Sequence, residues 1–408
     1  MEQVLHIGID FSEEYVMISY YSFQKKEPET ISAISGSKVY KIPFFLAKKR
    51  GMGQWYYGEE AKKAVEDNLA FAVLDLYHQS MTDGQILLEG ETYLAIDLLT
   101  LFLRKILLIP KRVTGLSKIG SLSLCMYELD ETKISVGQKA AYKLGIEKDM
   151  FFMLDKKECF YYYALSQKAE LWQKDCALFY SNGLKMEGNL LFRNERTNPQ
   201  VVEIEQYKYN FDFMNKDICF VEILKDAFAG KNIGTVYLVG DIFDDEWMTD
   251  SLKVLCNGRR VFIGKNLYSK GACVASLVKS KLYTWPFVYI GNHEVKYNLC
   301  LKVDSEGTEN LYTLISAGES WYEAQSTCEV ILCEEAKVEF LLQYPDKSKQ
   351  TIETVFLNEL PCRPPKTTRL RITAKPVSGN EINLSIKDLG FGDMFLASEK
   401  TWQTNVSF

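Results

Sequence analysis

The sequence lacks the features that would assign a common enzymatic function directly. Its three histidines, His6, His78 and His293, lie far from one another and from every cysteine. This leaves neither the ligand spacing of a zinc site nor a convincing catalytic triad. The phosphate loop G-x-x-x-x-G-K-[ST] and the hydrolase elbow G-x-S-x-G are also absent from the sequence. We therefore predict no metal ligands and no catalytic residues.

Charge and hydropathy exclude two classes of partner. The formal net charge is −6, so phosphate backbones and anionic lipid surfaces are not attracted, and we expect neither nucleic acid nor membrane as a partner. No run approaches the roughly 18 apolar residues of a membrane span, and MEQVLHIGID is unlike a secretory signal. The ten cysteines are mostly single residues in apolar surroundings, which is typical of free thiols in a reducing compartment. The prediction is a cytoplasmic protein.

Strand and helix patterns alternate twice along residues 1–285. A hairpin at 5–21 is followed by a strand at 39–46, a long amphipathic helix over 93–108 and a strand at 121–127. Helices at 132–144 and 157–165 flank a strand at 150–154. A second series has strands at 177–180, 185–192 and 235–239, with helices at 221–229 and 272–281. This order predicts a duplicated α/β domain.

The predicted secondary structure changes from alternating strands and helices to strands alone after Pro286. Short strand-like runs such as VKYNLCLKV, KVEFLLQY, RLRITAK and EINLSIKDL are separated by Gly, Pro, Asn and Asp. This pattern predicts an antiparallel β-sandwich over residues 286–408.

Six segments, in order, resemble the DnaK-type heat-shock chaperones of the actin-like ATPase superfamily. They begin at HIGIDFSEEY, VYKIPFFLAKKRGMGQWYYGEEAKKA, LSLCMYELDETKISVGQKAAYKLG, VYLVGDIFDDEWMTDSLK, YSKGACVASLV and FLNELPCRPPKTTRLRITAK. The resemblance implies a duplicated ribonuclease-H-like nucleotide domain at 1–285, with a shortened second lobe. It also implies a sandwich at 286–408 like the chaperone substrate-binding domain, here without the helical lid.

The resemblance places ATP and Mg²⁺ at Asp10, Ser12, Gly183 and Gly240, but most of the expected chemistry is missing there. Ser12 is followed by Glu13 and Glu14 where the family has Gly-Thr-Thr, and carboxylates repel polyphosphate. The family's connecting-segment acid falls within Asp155-Lys156-Lys157, so it is displaced or replaced by lysine. We expect these four positions to be a vestigial nucleotide site, and predict no bound cofactor.

Each of these residues also has a purely structural interpretation. Asp10 is either a hairpin-turn residue or the remnant of a metal site, and Gly183 and Gly240 are equally explained as turn glycines. The acids at 241–246 favour a solvated helix start over a cation site.

The resemblance places a peptide-binding pocket at Leu311, Val338 and Phe340. Alternating Val338, Phe340 and Leu342 would look the same in any sandwich core, so core packing and peptide binding both remain open for Phe340.

The leading hypothesis is a bacterial, non-catalytic DnaK-like pseudo-ATPase that binds a protein or an extended peptide. Two alternatives stay open: an ATP-dependent chaperone that holds Mg-ATP with unusual residues, and a structural subunit of a larger assembly. ATP hydrolysis is expected to be residual or absent.

Overall fold

The computed structural model describes residues 4–33, 36–181, 185–305, 307–333 and 335–408. The chain forms two compact units. The first comprises residues 1–190 and 205–285, and the second comprises residues 191–204 and 286–408. The sequence assigned 191–204 to the first domain, whereas in the structure this strand-rich stretch groups with the second unit. The chain is a mixed α/β protein.

In the described residues of its N-terminal part, the first unit contains eleven strands and five α-helices. The strands are β1 Leu5–Phe11, β2 Tyr15–Ser22, β3 Glu27–Thr30, β4 Ile42–Pro43, β5 Leu46–Lys49, β6 Trp55–Tyr57, β7 Ala70–Ala72, β8 Gln85–Leu88, β9 Glu91–Leu94, β10 Ile119–Met126 and β11 Phe151–Asp155. The helices are α1 Gly58–Glu66, α2 Leu76–Met81, α3 Ala95–Thr114, α4 Glu131–Leu144 and α5 Lys156–Ser166. The strand expected at 39–46 is instead the two short strands β4 and β5, because Pro43 has no N–H with which to continue a ladder.

The main sheet of this part has the order β11-β10-β1-β2-β3. Strand β1 is central and nearly all buried. It runs antiparallel to β2 and parallel to β10, and β10 runs parallel to β11. The carboxyl ends of β1, β10 and β11 therefore meet at one edge, where crossover helices begin.

The C-terminal part of the first unit builds a second sheet of the same order. Its strands are β12 Asp175–Ser181, β13 Met186–Asn194, β14 Gln200–Tyr209, β15 Ile233–Val239 and β16 Arg260–Ile263, and its helices are α6 Lys216–Phe228, α7 Asp250–Leu255 and α8 Leu267–Lys279. The end of β13 and the start of β14, within residues 191–204, belong to the second unit. The order is β16-β15-β12-β13-β14, and β12, β15 and β16 are parallel. Strand β14 was not expected from the sequence; its residues beyond Val202 are largely polar and half-exposed.

Helix α8 holds the first unit together. It packs on β1 and crosses α5 so closely that a Cβ on Gly271 would lie 1.9 Å from the Cys159 carbonyl oxygen. Only glycine permits this approach. The Gly-Ala pair of YSKGACVASLV thus has a steric role.

The second unit is a pair of packed antiparallel sheets. Its strands are β17 Phe287–Tyr289, β18 Asn298–Ser305, β19 Thr308–Ile315, β20 Ser326–Ile331, β21 Lys337–Gln343, β22 Gln350–Phe356, β23 Arg369–Ser378, β24 Glu381–Asp388 and β25 Thr401–Ser407. One sheet has the order β19-β18-β21-β22 and the other β20-β23-β24-β25, while β17 pairs with residues 200–202. The strict burial alternation of β23 and β24 places Ile372, Ile382 and Leu384 in the core with Phe340.

The described residues offer neither a membrane-spanning helix nor a cluster of metal ligands. No helix among them is both long and apolar enough to cross a membrane. In the same residues, no group of three or more His, Cys, Asp or Glu side chains is arranged to hold a metal ion.

Candidate functional site

Asp10 lies at the carboxyl end of β1, in a fully buried position beneath a small cavity. In the sheet it is flanked by Cys125 on β10 and Met17 on β2. Its Oδ1 atom forms an ion pair and a short hydrogen bond with the Lys156 ammonium group. Its Oδ2 atom is buried and accepts no hydrogen bond from the described residues. The carboxylate thus has one strong partner and one free acceptor.

Lys156 is the first residue of α5. Asp155 caps this helix by accepting a hydrogen bond from the Glu158 amide at 2.7 Å, which fixes the start of the helix beside the end of β1. The Lys156 Nζ atom also lies 4.2 Å from the centre of the Tyr268 ring, a cation–π distance. Burial lowers the pKa of Lys156, but the Asp10 carboxylate together with Cys125, Tyr15 and Tyr180 outweighs it, so the net pKa is raised and the ammonium stays charged.

Ser12 is occupied by the hairpin turn itself. Its hydroxyl donates to the Tyr15 carbonyl oxygen at 2.8 Å and accepts from the Tyr15 amide at 3.1 Å. The adjacent Glu13 is exposed and lies 2.7 Å from His78 Nε2. The polar side chains of the turn therefore bind within the turn, as Ser12 does, or bind α2, as Glu13 does.

Gly240 follows β15 and has φ of 124°, a conformation that L side chains rarely adopt. A Cβ at this position would lie 2.1 Å from the Ser181 carbonyl oxygen, so glycine is required for the close approach of the ends of β12 and β15. Gly183, the other predicted glycine, lies outside the described residues.

The acids that follow Gly240 are paired with lysines. Asp241 and Asp244 belong to a short 3₁₀ helix, Asp241–Asp244. Lys41 donates to both Asp241 oxygens at 2.6 and 2.7 Å, and Lys265 donates to Asp244 at 2.9 Å. Asp241 and Asp244 are therefore better described as acids at a solvated 3₁₀ turn than as ligands of a cation.

The cavity above Asp10 has a volume of about 220 Å³. Tyr15, Tyr180 and Tyr268 line it, and Lys41 lies 4.7 Å from the centre of the Tyr15 ring. Burial and the nearby Asp10 carboxylate raise the pKa of Tyr15, so this phenol remains a neutral hydrogen-bond donor at physiological pH. Aromatic rings form part of the wall, and three charge pairs at the cavity, Asp10–Lys156, Lys41–Asp241 and Lys265–Asp244, are already made within the chain.

The sequence placed a lysine in the connecting segment at 155–157 without pairing it with Asp10, and it missed the tyrosines. The only signals were that Tyr15 ends the hairpin turn and that Tyr268 opens the YSKGA segment. Tyr180 follows three buried apolar residues of β12 and carries no such signal.

The three predicted peptide-binding residues do not share a pocket. Phe340 is fully buried in the sandwich core, and Val338 is buried on the same face of β21. Leu311 is 49% exposed and lies opposite Lys302, whereas Phe340 lies opposite Leu301, so the two side chains are on opposite faces of one sheet. Phe340 is therefore a core residue, and it does not line one pocket together with Leu311.

The second unit has another groove, between the edges of its two sheets. It has a volume of about 940 Å³ and is open to solvent. Val303, Val330 and Val338 contribute apolar surface, and Lys302 and Glu329 contribute charge. Of the three predicted residues, only Val338 lines it.

Comparison with known proteins assigns the chain to a family, but the matching families have no assigned biochemical activity. Residues 294–408 match a domain of unknown function, DUF8552. Residues 27–292 match the model described as the C-terminal part of the family of unknown function DUF5716, which begins after the β1–β2 hairpin that carries Asp10. A search of curated proteins gave no match. Because the first match covers more than half of the sequence, the chain belongs to the DUF5716 family.

Proposed function

We propose that this protein is a non-catalytic relative of the DnaK-type chaperones, in which a degenerate actin-like domain supports a protein- or peptide-binding sandwich. The strand order supports the proposal. In both sheets of the first unit, the first strand is flanked on one side by the next two strands and on the other by two parallel strands. This is the order expected of a duplicated ribonuclease-H-like fold.

The observation that carries the proposal is the Lys156–Asp10 ion pair. In the resemblance, Asp10 is the carboxylate that holds the metal of Mg-ATP. Here its Oδ1 atom already binds an ammonium group, which delivers the positive charge that a magnesium ion would supply. A divalent cation at the same oxygen would have to displace Lys156 from a buried position.

The surroundings do not fit a triphosphate either. Phosphoryl transfer requires backbone amides and cations directed at the phosphates. The turn after Asp10 presents Glu13 and Glu14, and the Ser12 hydroxyl is bound to Tyr15. Tyr15 and Tyr268 line the cavity with aromatic rings. We therefore derive no ATP hydrolysis at this site.

The binding function is proposed for the groove of the second unit. Apolar walls with a charged rim suit an extended peptide, because the walls accept side chains and the rim orients polar groups. Phe340 fills the core instead of lining this groove, so the ligand would contact Val303, Val330 and Val338.

A thermal-shift titration with Mg-ATP tests the non-catalytic part. Binding at 100 times Kd would stabilise the fold by about 2.7 kcal/mol, which is a shift of several degrees. We expect no shift in the wild type. A clear shift that Asp10→Asn abolishes, with each variant referenced to its own nucleotide-free melting temperature, would favour the ATP-dependent chaperone.

Anisotropy with labelled extended apolar peptides tests the binding part. Val303→Gln removes apolar surface from the groove, whereas Leu311→Gln makes the same kind of change outside the residues that line the groove. Weaker binding in the first variant alone supports the groove. Equal affinities in both variants, or no binding by the wild type, contradict it and favour a structural subunit.

A further inference from the structure

Strand β22 forms an open edge of the second unit. Its sequence, QTIETVF, contains neither lysine nor proline, two residues that commonly protect sheet edges, and its one charged residue is Glu353. Among the described residues it pairs with β21 alone. Ile352 and Phe356 are 51% and 64% exposed. The edge therefore offers both unpaired backbone groups and apolar side chains.

The exposed side chains continue an apolar row across the outer face of the sheet. Ile352 lies opposite Leu341 on β21, and Leu341 lies opposite Cys300 on β18. Leu341 and Cys300 are buried but lie outside the sandwich core cluster, so this row belongs to the outer face. The row ends abruptly at Ile352, where the sheet stops.

One antiparallel register of β22 against a second β22 is self-complementary. With Thr354 opposite its own counterpart, each Ile352 faces the Phe356 of the other copy, and each Glu353 faces Val355. A register centred on Glu353 would instead oppose two carboxylates, which is destabilising. The Thr354-centred register also keeps the outer face of one sheet continuous with that of the other.

The edge of the other sheet provides a contrast. Strand β25 exposes Thr401, Gln403 and Asn405, all of them polar. Self-pairing there would add backbone hydrogen bonds without apolar cross-strand pairs. The apolar side-chain pattern thus distinguishes β22 from β25.

We propose that two copies of this chain associate through β22, in an antiparallel pair centred on Thr354 that joins their four-stranded sheets into one eight-stranded sheet. The interface is isologous, so a two-fold axis passes between the two Thr354 residues. The backbone edges satisfy each other, and the Ile352–Phe356 pairs occur twice.

Cysteine cross-linking tests the register. Directly opposed residues in an antiparallel pair have Cα atoms about 4.5–5.5 Å apart, within the range that a disulfide bridges. Thr354→Cys should therefore give a disulfide-linked dimer under mild oxidation. Glu353→Cys is the matched control, because its own counterpart lies on the diagonal, about 7–8 Å away. The native cysteines are common to both variants and to the wild type.

Sedimentation or light scattering on the full chain tests the association itself. We expect a concentration-dependent dimer that Ile352→Lys converts to a monomer, while Gln403→Lys on β25 leaves the dimer unchanged. Circular dichroism establishes that both variants fold. A wild-type monomer at every soluble concentration overturns the proposal, and so does equal cross-linking of the Thr354→Cys and Glu353→Cys variants.

Discussion

Replacing Lys156 by methionine is the most direct test of the charge arrangement in the first unit. The change keeps the length and apolar stem of the side chain but removes the ammonium group. Asp10 is fully buried, and its Oδ2 atom already has no partner among the described residues. In the variant, the Oδ1 atom loses its only ion-pair partner, and the buried carboxylate has no counter-charge.

The expected loss follows from the burial of both partners. The side chain of Lys156 is 13% exposed and that of Asp10 is 0% exposed, so solvent screens the pair weakly. Removing one partner of a buried ion pair typically costs about 3–5 kcal/mol. At roughly 2–4 °C per kcal/mol for a domain of this size, the melting temperature should fall by about 10 °C.

The double variant Asp10→Asn/Lys156→Met distinguishes the electrostatic contribution of the ion pair from the packing contribution of the two side chains. Replacing both charges removes the uncompensated carboxylate, so most of the lost stability should return. Chemical denaturation of the wild type, both single variants and the double variant gives the coupling energy. Lys157→Met is the control, because it removes a charge from the same helical turn away from Asp10.

The ion-pair reasoning fails if Lys156→Met melts within about 2 °C of the wild type, which corresponds to less than about 1 kcal/mol. It also fails if the single losses simply add in the double variant, because additivity indicates that the two groups do not interact.

Three further predictions concern stability. Arg363 binds the buried Asp388 carboxylate through two hydrogen bonds of 2.7 and 2.8 Å. Arg363→Met leaves this carboxylate without its counter-charge and should therefore destabilise the second unit by about 3–5 kcal/mol. Burial alone raises the pKa of Asp388, but Arg363 and backbone amides outweigh it and hold the pKa well below its usual range. The stabilisation is therefore complete above about pH 4 and is lost at lower pH, and an acid titration of Asp388→Asn should show a flatter profile. Phe340→Ala should cost about 3–5 kcal/mol in urea denaturation, and Leu311→Ala less than about 0.5 kcal/mol; equal losses would contradict the assignment of the two faces. Asp217 accepts hydrogen bonds from the first turn of α7, which outweigh its desolvation and lower its pKa to about 2; since it is largely solvated, Asp217→Asn should cost only about 1 kcal/mol, and an unchanged denaturation midpoint would refute the capping role.

Local sequence signals predicted the elements that depend on neighbouring residues. Helix α4 begins after Asp130, whose side chain accepts from the Lys133 amide, and ends before Gly145, which is in the left-handed conformation. Its bounds, Glu131–Leu144, agree with the helix expected from about 132 to 144. The alternating strands β23 and β24 were likewise evident from period-two hydropathy. Helix α8 begins five residues before its expected start, because no capping side chain marks its N-terminus.

Long-range features were decided only by the tertiary structure. The resemblance placed a lysine in the connecting segment of the vestigial site. The ion pair, however, joins Lys156 to Asp10, which lies 146 positions away in the sequence. Only the parallel arrangement of β1, β10 and β11 brings the two residues together. The faces of Leu311 and Phe340 depend on the register in which β19 and β21 pair with β18. A one-residue shift moves a side chain to the other face of a sheet, and residue types alone do not specify where that shift occurs.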